Sequence, residues 1–403
     1  MSEGPTEPSV VFGQNSGDTW LGAKLAAITR RLGEVPAGFT VSLACFALSL
    51  FMIFPIQPAY VLLGGRMDPN TFGDLTFMSR FYFSYLPISQ DPFVRTRPHY
   101  LFTRHRILAP VIAHYTGLAG RKSVLIPVIA NFLLLWAIYA ALRKRNLPPD
   151  VCAILTAAMS LTLVVATSQA WTGYQDSLGC LAIALALCTR SIPLSAFAFL
   201  IGMFAEERII AAAPLFILWH ALEENDPRWL RRAIFRSAST LIVLGIWIIY
   251  YLWLRRSLNI IMQDVTSIAF NDFRHYKSYL WPGFYFGLRA VWLLPTMLLA
   301  NWFFQRGKRW PALFLSASIV IIFAVSLRVG DISRVCCLAF PAVLIAAVYL
   351  HRANPVSLRY FAVAAFALNL VTPCVSITQD QMRFFYPLPL AVPELIHQLH
   401  HPG

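Results

Sequence analysis

Charge is scarce in this chain. Asp, Glu, Lys and Arg make up 13% of its 403 residues, about half the share found in a soluble domain. Acidic groups are the rarer kind, 19 against 33 basic ones. The seven cysteines are scattered and none forms a CxxC, which excludes a zinc or redox framework; most sit inside apolar runs as small buried residues. No Walker or Rossmann glycine pattern is present. The first 35 residues are polar and include Lys24, Arg30 and Arg31. A cleavable signal peptide would reach its apolar core sooner, so the first span is expected to stay as an anchor. The formal charge is +14, yet no basic patch is interleaved with stacking aromatics on a polar face, and nucleic acid is excluded as a partner. Internal repeats are absent, as are helix-breaking pairs at matching positions in two halves, the mark of many secondary transporters.

Apolar residues fill the place of the missing charge. They make up 58% of the chain, the mean hydropathy is +0.60, and apolar runs of about 15–20 residues recur to the C-terminus. This predicts an all-α, polytopic integral membrane protein whose partner is the lipid bilayer. About eleven (10–13) crossings are expected, at 39–58, 123–142, 151–169, 174–189, 192–205, 208–221, 236–254, 283–304, 311–327, 334–350 and 358–376. The segment 107–120 is apolar but short and reads as a half-inserted helix. The basic residues then sort by side. Arg143, Lys144, Arg145, Arg190, Arg228, Arg231, Arg232, Arg236, Arg306, Lys308, Arg309, Arg352 and Arg359 fall on one face, which the positive-inside rule makes cytoplasmic. The organisation predicted is a cytoplasmic segment 1–38, one transmembrane domain 39–376 with a first exoplasmic loop at 59–122, and a tail 377–403. The N-terminus lies inside and the C-terminus outside.

The first loop is long for a bilayer-spanning chain. It holds Asp68, Asp74, Asp91, Arg66, Arg80, Arg95, Arg97, Arg104, Arg106 and many aromatics. Long loops are costly to order and commonly functional. Residues 70–86 place apolar side chains at 72, 75, 78, 82 and 85, the stripe of a helix lying in the membrane interface. Asp74 falls in its first turn. There it either favours the helix dipole or serves as a general base at the membrane surface. Arg95, Arg97, Arg104 and Arg106 lie within twelve residues. Guanidinium forks hold phosphate bidentately; the alternatives are lipid headgroups or carboxylates of the same loop. His105 stands between two arginines that disfavour its charged form, and it is not taken as the base.

Four further places draw notice. Asp176 closes GYQD at the start of a span, where it can cap the helix. The triplet Glu206-Glu207-Arg208 stands between two short apolar segments and must pair internally or line a cavity, because charge inside a membrane is expensive. Residues 255–282 form a second outer loop with Asp264, Asp272, Arg274, His275 and Lys277. In GDISR, Asp331 is a natural N-cap and Arg334 stands three residues on, pointing either at Asp331 or at a phosphate.

This arrangement resembles the GT-C superfamily of multispanning glycosyltransferases. The likeness rests on the acid-bearing first loop, TRHRILAPVIAHYTGL at 103–118, NFLLLWAIYAALRKR at 131–145, GYQD at 173–176, EER at 206–208, and GDISR at 330–334 followed by Pro341. The paired-acid signature is not reproduced: Asp68 and Asp74 stand six apart, with no DD or DE. The resemblance implies sugar transfer on the exoplasmic face, in a bacterial inner membrane, from a polyprenyl-phosphate-linked donor to a glycan, lipid or protein acceptor. It makes Asp74, then Asp68, the catalytic acids, and Arg95, Arg97, Arg104, Arg106 and Arg334 the donor-phosphate ligands. Asp91, Asp176, Glu206, Glu207, Arg208, His275 and Asp331 become substrate contacts. No metal ligand cluster is expected, although some relatives use a divalent ion. A transporter or lipid flippase, or a polysaccharide polymerase or ligase, are the alternative readings.

Overall fold

The computed structural model describes residues 36–65, 81, 85–92, 106–189, 191–221, 229–257, 278–305, 307–329, 331–377 and 382–400. Asp68, Asp74, Arg95, Arg97, Arg104 and His275, and the interfacial helix expected at 70–86 up to residue 80, lie outside them. The chain divides into two compact units, Met1–Val41 and Ser42–Gly403. Apart from residues 36–41, where the Pro36–Met52 helix begins, the second holds everything discussed below.

The protein is predominantly helical and built to span a membrane. Among the described residues, four helical stretches are long and apolar enough to cross: Gly120–Lys144, Leu280–Phe304, Arg309–Leu327 and Ile332–Ala353. Two bent pairs raise the number to six, Pro36–Met52 with Ile56–Leu62 at 90° and Pro149–Ser160 with Leu163–Ala170 at 46°. Other stretches expected to cross form shorter helices, Asp176–Cys188, Ile192–Met203 and Pro355–Val371. A helix of 13 residues such as Asp176–Cys188 is about 20 Å long, against roughly 30 Å of hydrocarbon. Hydropathy summed over a window cannot register where a helix breaks, as it does before Asp176 and after Met203. The segment 107–120 forms the helix Leu108–Tyr115, of 8 residues, about 12 Å long and too short to cross alone.

The core lies around the helical stretch Ile332–Ala353, whose apolar window is 94% buried, whereas that of Arg309–Leu327 is 33% buried. The second therefore stands at the periphery and turns Leu313, Val320 and Ile321 outward. A water-facing helix would not spend such residues on its outer face, but lipid accepts them.

Close packing on the central helix needs the absence of a side chain. A Cβ added at Gly283 would fall 2.6 Å from Ile332 Cγ2, and one at Gly287 2.7 Å from Cys336 Cβ. The two glycines are four apart in an apolar run, the spacing by which membrane helices bring backbones together.

Polar side chains hold the breaks. Gln169 accepts a hydrogen bond from Ser49 Oγ at 3.0 Å and donates to the Ile53 carbonyl at 2.5 Å, at the bend of the first pair. Gln57 Oε1 accepts from the Thr172 amide at 3.1 Å. Arg289 is 1% exposed, with φ of 57°, and it interrupts the Leu280–Phe304 stretch. Its guanidinium donates to the carbonyls of Leu161, Asn369 (2.6 Å) and Thr372 and to Thr372 Oγ1 (2.6 Å). Asn369 completes the staple: Oδ1 accepts from the Ala290 amide at 2.9 Å, and Nδ2 donates to the Ala158 carbonyl at 3.0 Å. The acceptors are helix-end carbonyls, which carry partial negative charge and suit a cation.

The region expected as a tail carries regular structure. Val375–Ile377 and Met382–Phe384 form an antiparallel pair with Ser376 opposite Arg383, and the helix Leu388–His400 follows. Ser333 Oγ binds the hairpin through the Ile377 amide at 2.7 Å. The Phe54 amide donates to the Tyr386 carbonyl at 2.9 Å.

The two ends of the bundle differ in charge. At one end, Lys144 donates to the Cys188 carbonyl. Arg145 reaches the Trp219 carbonyl at 3.5 Å and stacks over its ring at 4.3 Å. Arg359 pairs with Asp150 at 2.6 Å, both side chains about half exposed. The opposite end, where Asp176–Cys188 and Ile332–Ala353 begin and Ile192–Met203 finishes, holds Asp176, Glu206, Glu207 and Asp331.

Candidate functional site

Seven of the residues singled out in the sequence converge there: Arg106, Asp176, Glu206, Glu207, Arg208, Asp331 and Arg334. Each is delivered by a helix end or a break. Arg106 stands two residues before the Leu108–Tyr115 helix, next to its N-cap Ile107. Asp176 is the first residue of Asp176–Cys188. Glu206, Glu207 and Arg208 occupy the link between Ile192–Met203 and Ala213–Ala221, where a short 3₁₀ turn, Glu207–Ala212, replaces α-helix. Asp331 and Arg334 open the central helix.

Glu206 is the hub, 1% exposed. It faces Arg106 Nη1 at 3.2 Å and Arg334 Nη2 at 3.0 Å, and Arg208 holds it by Nε and by Nη2 at 2.8 Å. Asp176 Oδ1 accepts from Arg334 Nε at 2.7 Å and faces Arg208 Nη2 at 3.5 Å. Asp331 Oδ2 accepts from Arg334 Nη1 at 2.9 Å. Glu207 forks Arg106, with Nε at 2.7 Å from Oε2 and Nη2 on Oε1. Three guanidiniums therefore meet four carboxylates. Asp176 Oδ2 and Arg208 Nη1 are buried and have no hydrogen-bond partner.

Two side chains in the same motif were not singled out in the sequence. Tyr174 presents its ring to the Arg334 guanidinium, 4.1 Å from the centroid. Gln175 donates to the Arg106 carbonyl at 2.8 Å and accepts from the Ala109 amide at 3.1 Å. GYQD thus acts as a whole, and its signal was the string itself, of which only the Asp had drawn notice. Asp176 makes no capping bond; its carboxylate turns to the arginines. Asp331 holds the N-cap position, but its side chain serves Arg334 in place of the backbone. Asp91 is exposed at the end of the Leu86–Gln90 helix.

The electrostatics follow from burial against pairing. Glu206 and Arg106 lie outside the spans. Burial pushes the Glu206 carboxyl up, but the guanidiniums of Arg106 and Arg208 offset this and hold it at about 2, below the ordinary 4.5. Burial opposes the charge on Arg106, and Glu206 and Glu207 reverse the effect and raise it. Every guanidinium here has carboxylate partners, so a phosphate reaching Arg106 or Arg334 must displace one. The edge of the network is formed by Glu207 and Arg106, 24% and 16% exposed. Among the described residues no group of three or more His, Cys, Asp or Glu is placed to hold a metal ion.

Fold and site define a class: a helical, multi-span integral membrane protein with a buried arginine–carboxylate network at one end of its bundle. Comparison with protein families, curated proteins and solved structures finds no match.

Proposed function

We propose that this protein is a GT-C-like membrane glycosyltransferase that moves a sugar from a polyprenyl-phosphate-linked donor to an acceptor on the exoplasmic face. One observation carries the reading. Arg106, the last of the four arginines clustered at 95–106, is clasped between Glu206 and Glu207. The loop bearing Asp68, Asp74, Arg95, Arg97 and Arg104 therefore ends on the network, beside the starts of two membrane helices. In this reading the network anchors that loop. Arg143, Lys144 and Arg145 mark the far end, which the positive-inside rule makes cytoplasmic; the network end is then exoplasmic.

In this reading Asp74, with Asp68 as the second candidate six residues earlier in the sequence, takes the proton of the acceptor hydroxyl as the new glycosidic bond forms. The bond from the anomeric carbon to the phosphate oxygen breaks, and the polyprenyl phosphate leaves. Arg95, Arg97 and Arg104 stabilise the charge developing on that phosphate.

The test is a turnover assay on the full chain in nanodiscs, with a panel of polyprenyl-phosphate sugars. Sugar release by the parent, lost in Asp74→Asn with donor binding retained, is the expected result. Full transfer by both Asp74→Asn and Asp68→Asn would sink the proposal.

A further inference from the structure

Two features stand outside the network. One is a cavity of about 460 Å³ between the bend of the first helical pair, the Trp171 loop, the hairpin and the Leu388–His400 helix; nothing on its lining selects one occupant. The other is a pair of thiols one turn beneath the network.

The register of the network puts the thiols there. Asp176–Cys188 and Ile332–Ala353 both begin at the network end and run away from it. Arg334 Nε and Asp176 Oδ1, 2.7 Å apart, tie their first turns together. Cys180 stands four residues on from Asp176, and Cys337 three on from Arg334. Residues three or four apart lie on one face of a helix, a turn further along. A bond between the first two side chains therefore brings the next two opposite each other. The contact is made: the Cys180 thiol meets that of Cys337. Cys337 Sγ also lies 2.9 Å from the Arg334 carbonyl, which turns it back toward the network. Both residues are fully buried.

A buried cysteine usually packs as a small apolar residue. That accounts for single thiols, but not for two set face to face on different helices. Cys336, next to Cys337 in sequence, faces Ser326 Oγ at 3.7 Å instead. Scattered spacing excluded a redox framework in the sequence; the fold brings two of the seven cysteines together across the 157 residues from 180 to 337. Compartment supplies the oxidant. Exoplasmic compartments are oxidising, and thiols in contact there become disulfides.

We infer that Cys180 and Cys337 are joined by a disulfide when the chain folds in an oxidising exoplasmic compartment, which cross-links the Asp176–Cys188 helix to the central helix beneath the network. The inference rests on the exoplasmic placement of the network end and not on sugar transfer. The structure holds the reduced pair. Before the helices close, one thiol gives up its proton and attacks the disulfide of an exoplasmic thiol oxidase, forming a mixed disulfide. The other thiol then displaces the oxidase thiolate. The pair loses two protons and two electrons, and the oxidase disulfide takes them up as a dithiol. Closure of the helices afterwards seals the bond from reductants.

The experiment maps disulfides in the full chain made in spheroplasts. Free thiols are alkylated at harvest, and the denatured chain is digested without reductant for mass spectrometry. A linked peptide pair carrying Cys180 and Cys337 is expected, leaving five of the seven cysteines alkylated. Chain folded under reductant should carry seven alkylated thiols and no link. Cys336→Ser should keep the link, whereas Cys180→Ser should lose it and leave Cys337 alkylated. Seven alkylated cysteines in the parent, or a link that runs through Cys336, would overturn the inference. Labelling of Asp91→Cys by a membrane-impermeant maleimide separates this failure from failure of the wider reading. Labelling from outside with no link removes the disulfide alone. Labelling only after lysis removes the exoplasmic placement, and with it both the disulfide and the transferase. A linked pair without sugar transfer leaves the disulfide standing.

Discussion

Two adjacent glutamates should differ sharply in what they contribute. Glu206 is 1% exposed and touches three guanidiniums; Glu207 is 24% exposed and touches Arg106. Glu206→Gln keeps the shape and removes the charge, leaving Arg208 and Arg334 facing an amide in a buried setting. Removing one member of a buried pair destabilises by about 3–5 kcal/mol. An ion pair with solvent access contributes about 0–1 kcal/mol, which is the loss expected for Glu207→Gln. The difference between neighbours in sequence is therefore about 3 kcal/mol, set by burial and by the number of partners. Free cysteines supply the readout, since Cys180, Cys336 and Cys337 are buried in the folded chain. A thiol-reactive dye added during heating reports their exposure. Glu206→Gln should lower the unfolding midpoint well beyond Glu207→Gln. Equal shifts, or a larger one for Glu207→Gln, would refute the assignment of Glu206 as the hub.

Acid should act through the same residue. A carboxyl held at about 2 in the folded chain, against an ordinary 4.5, contributes stability that is complete above the higher value and is lost as pH falls to the lower one. The unfolding midpoint of the parent should drop across that window more steeply than that of Glu206→Gln; parallel curves would contradict it. Arg289→Leu should cost about 1–3 kcal/mol by leaving the Leu161, Asn369 and Thr372 carbonyls short of a donor, visible in the same thermal assay, with no change expected from Arg359→Leu at its half-exposed pair. Gly287→Ala should destabilise by about 1–3 kcal/mol, since its Cβ would press on Cys336 Cβ; an unchanged midpoint would mean the helices separate freely.

The buried network is weak evidence of stability in itself, because desolvating seven charges opposes their mutual attraction. Its clearer effect is on geometry. Arg334 reaches Asp176, Glu206 and Asp331 at once, which fixes the relative placement of three helix ends that apolar packing alone would leave free to slide. The Trp171–Gln175 segment carries that order outward: Tyr174 lies against Arg334, and Trp171 packs on Phe385 at 5.0 Å.

The sequence by itself determined that the chain is helical and made for a bilayer, because a run of apolar residues is a local property and needs no partner to be recognised. It also marked Arg106, Asp176, Glu206, Glu207, Arg208, Asp331 and Arg334, because a charge in an apolar background must be accounted for wherever it lies. Only the tertiary structure decided that these form one network. Arg334 and Asp176 are 158 residues apart in the chain, and nothing local to either names the other. The same holds for helix length. Hydropathy read 174–189 and 192–205 as crossings, but the breaks at Asp176 and at Met203–Glu207 are set where the network draws charged side chains together. The cavity was illegible for the same reason. Gln57, Trp171, Tyr386 and Gln398 are unremarkable in isolation, and they line one cavity only because the first bend, the Trp171 loop and the last helix come together.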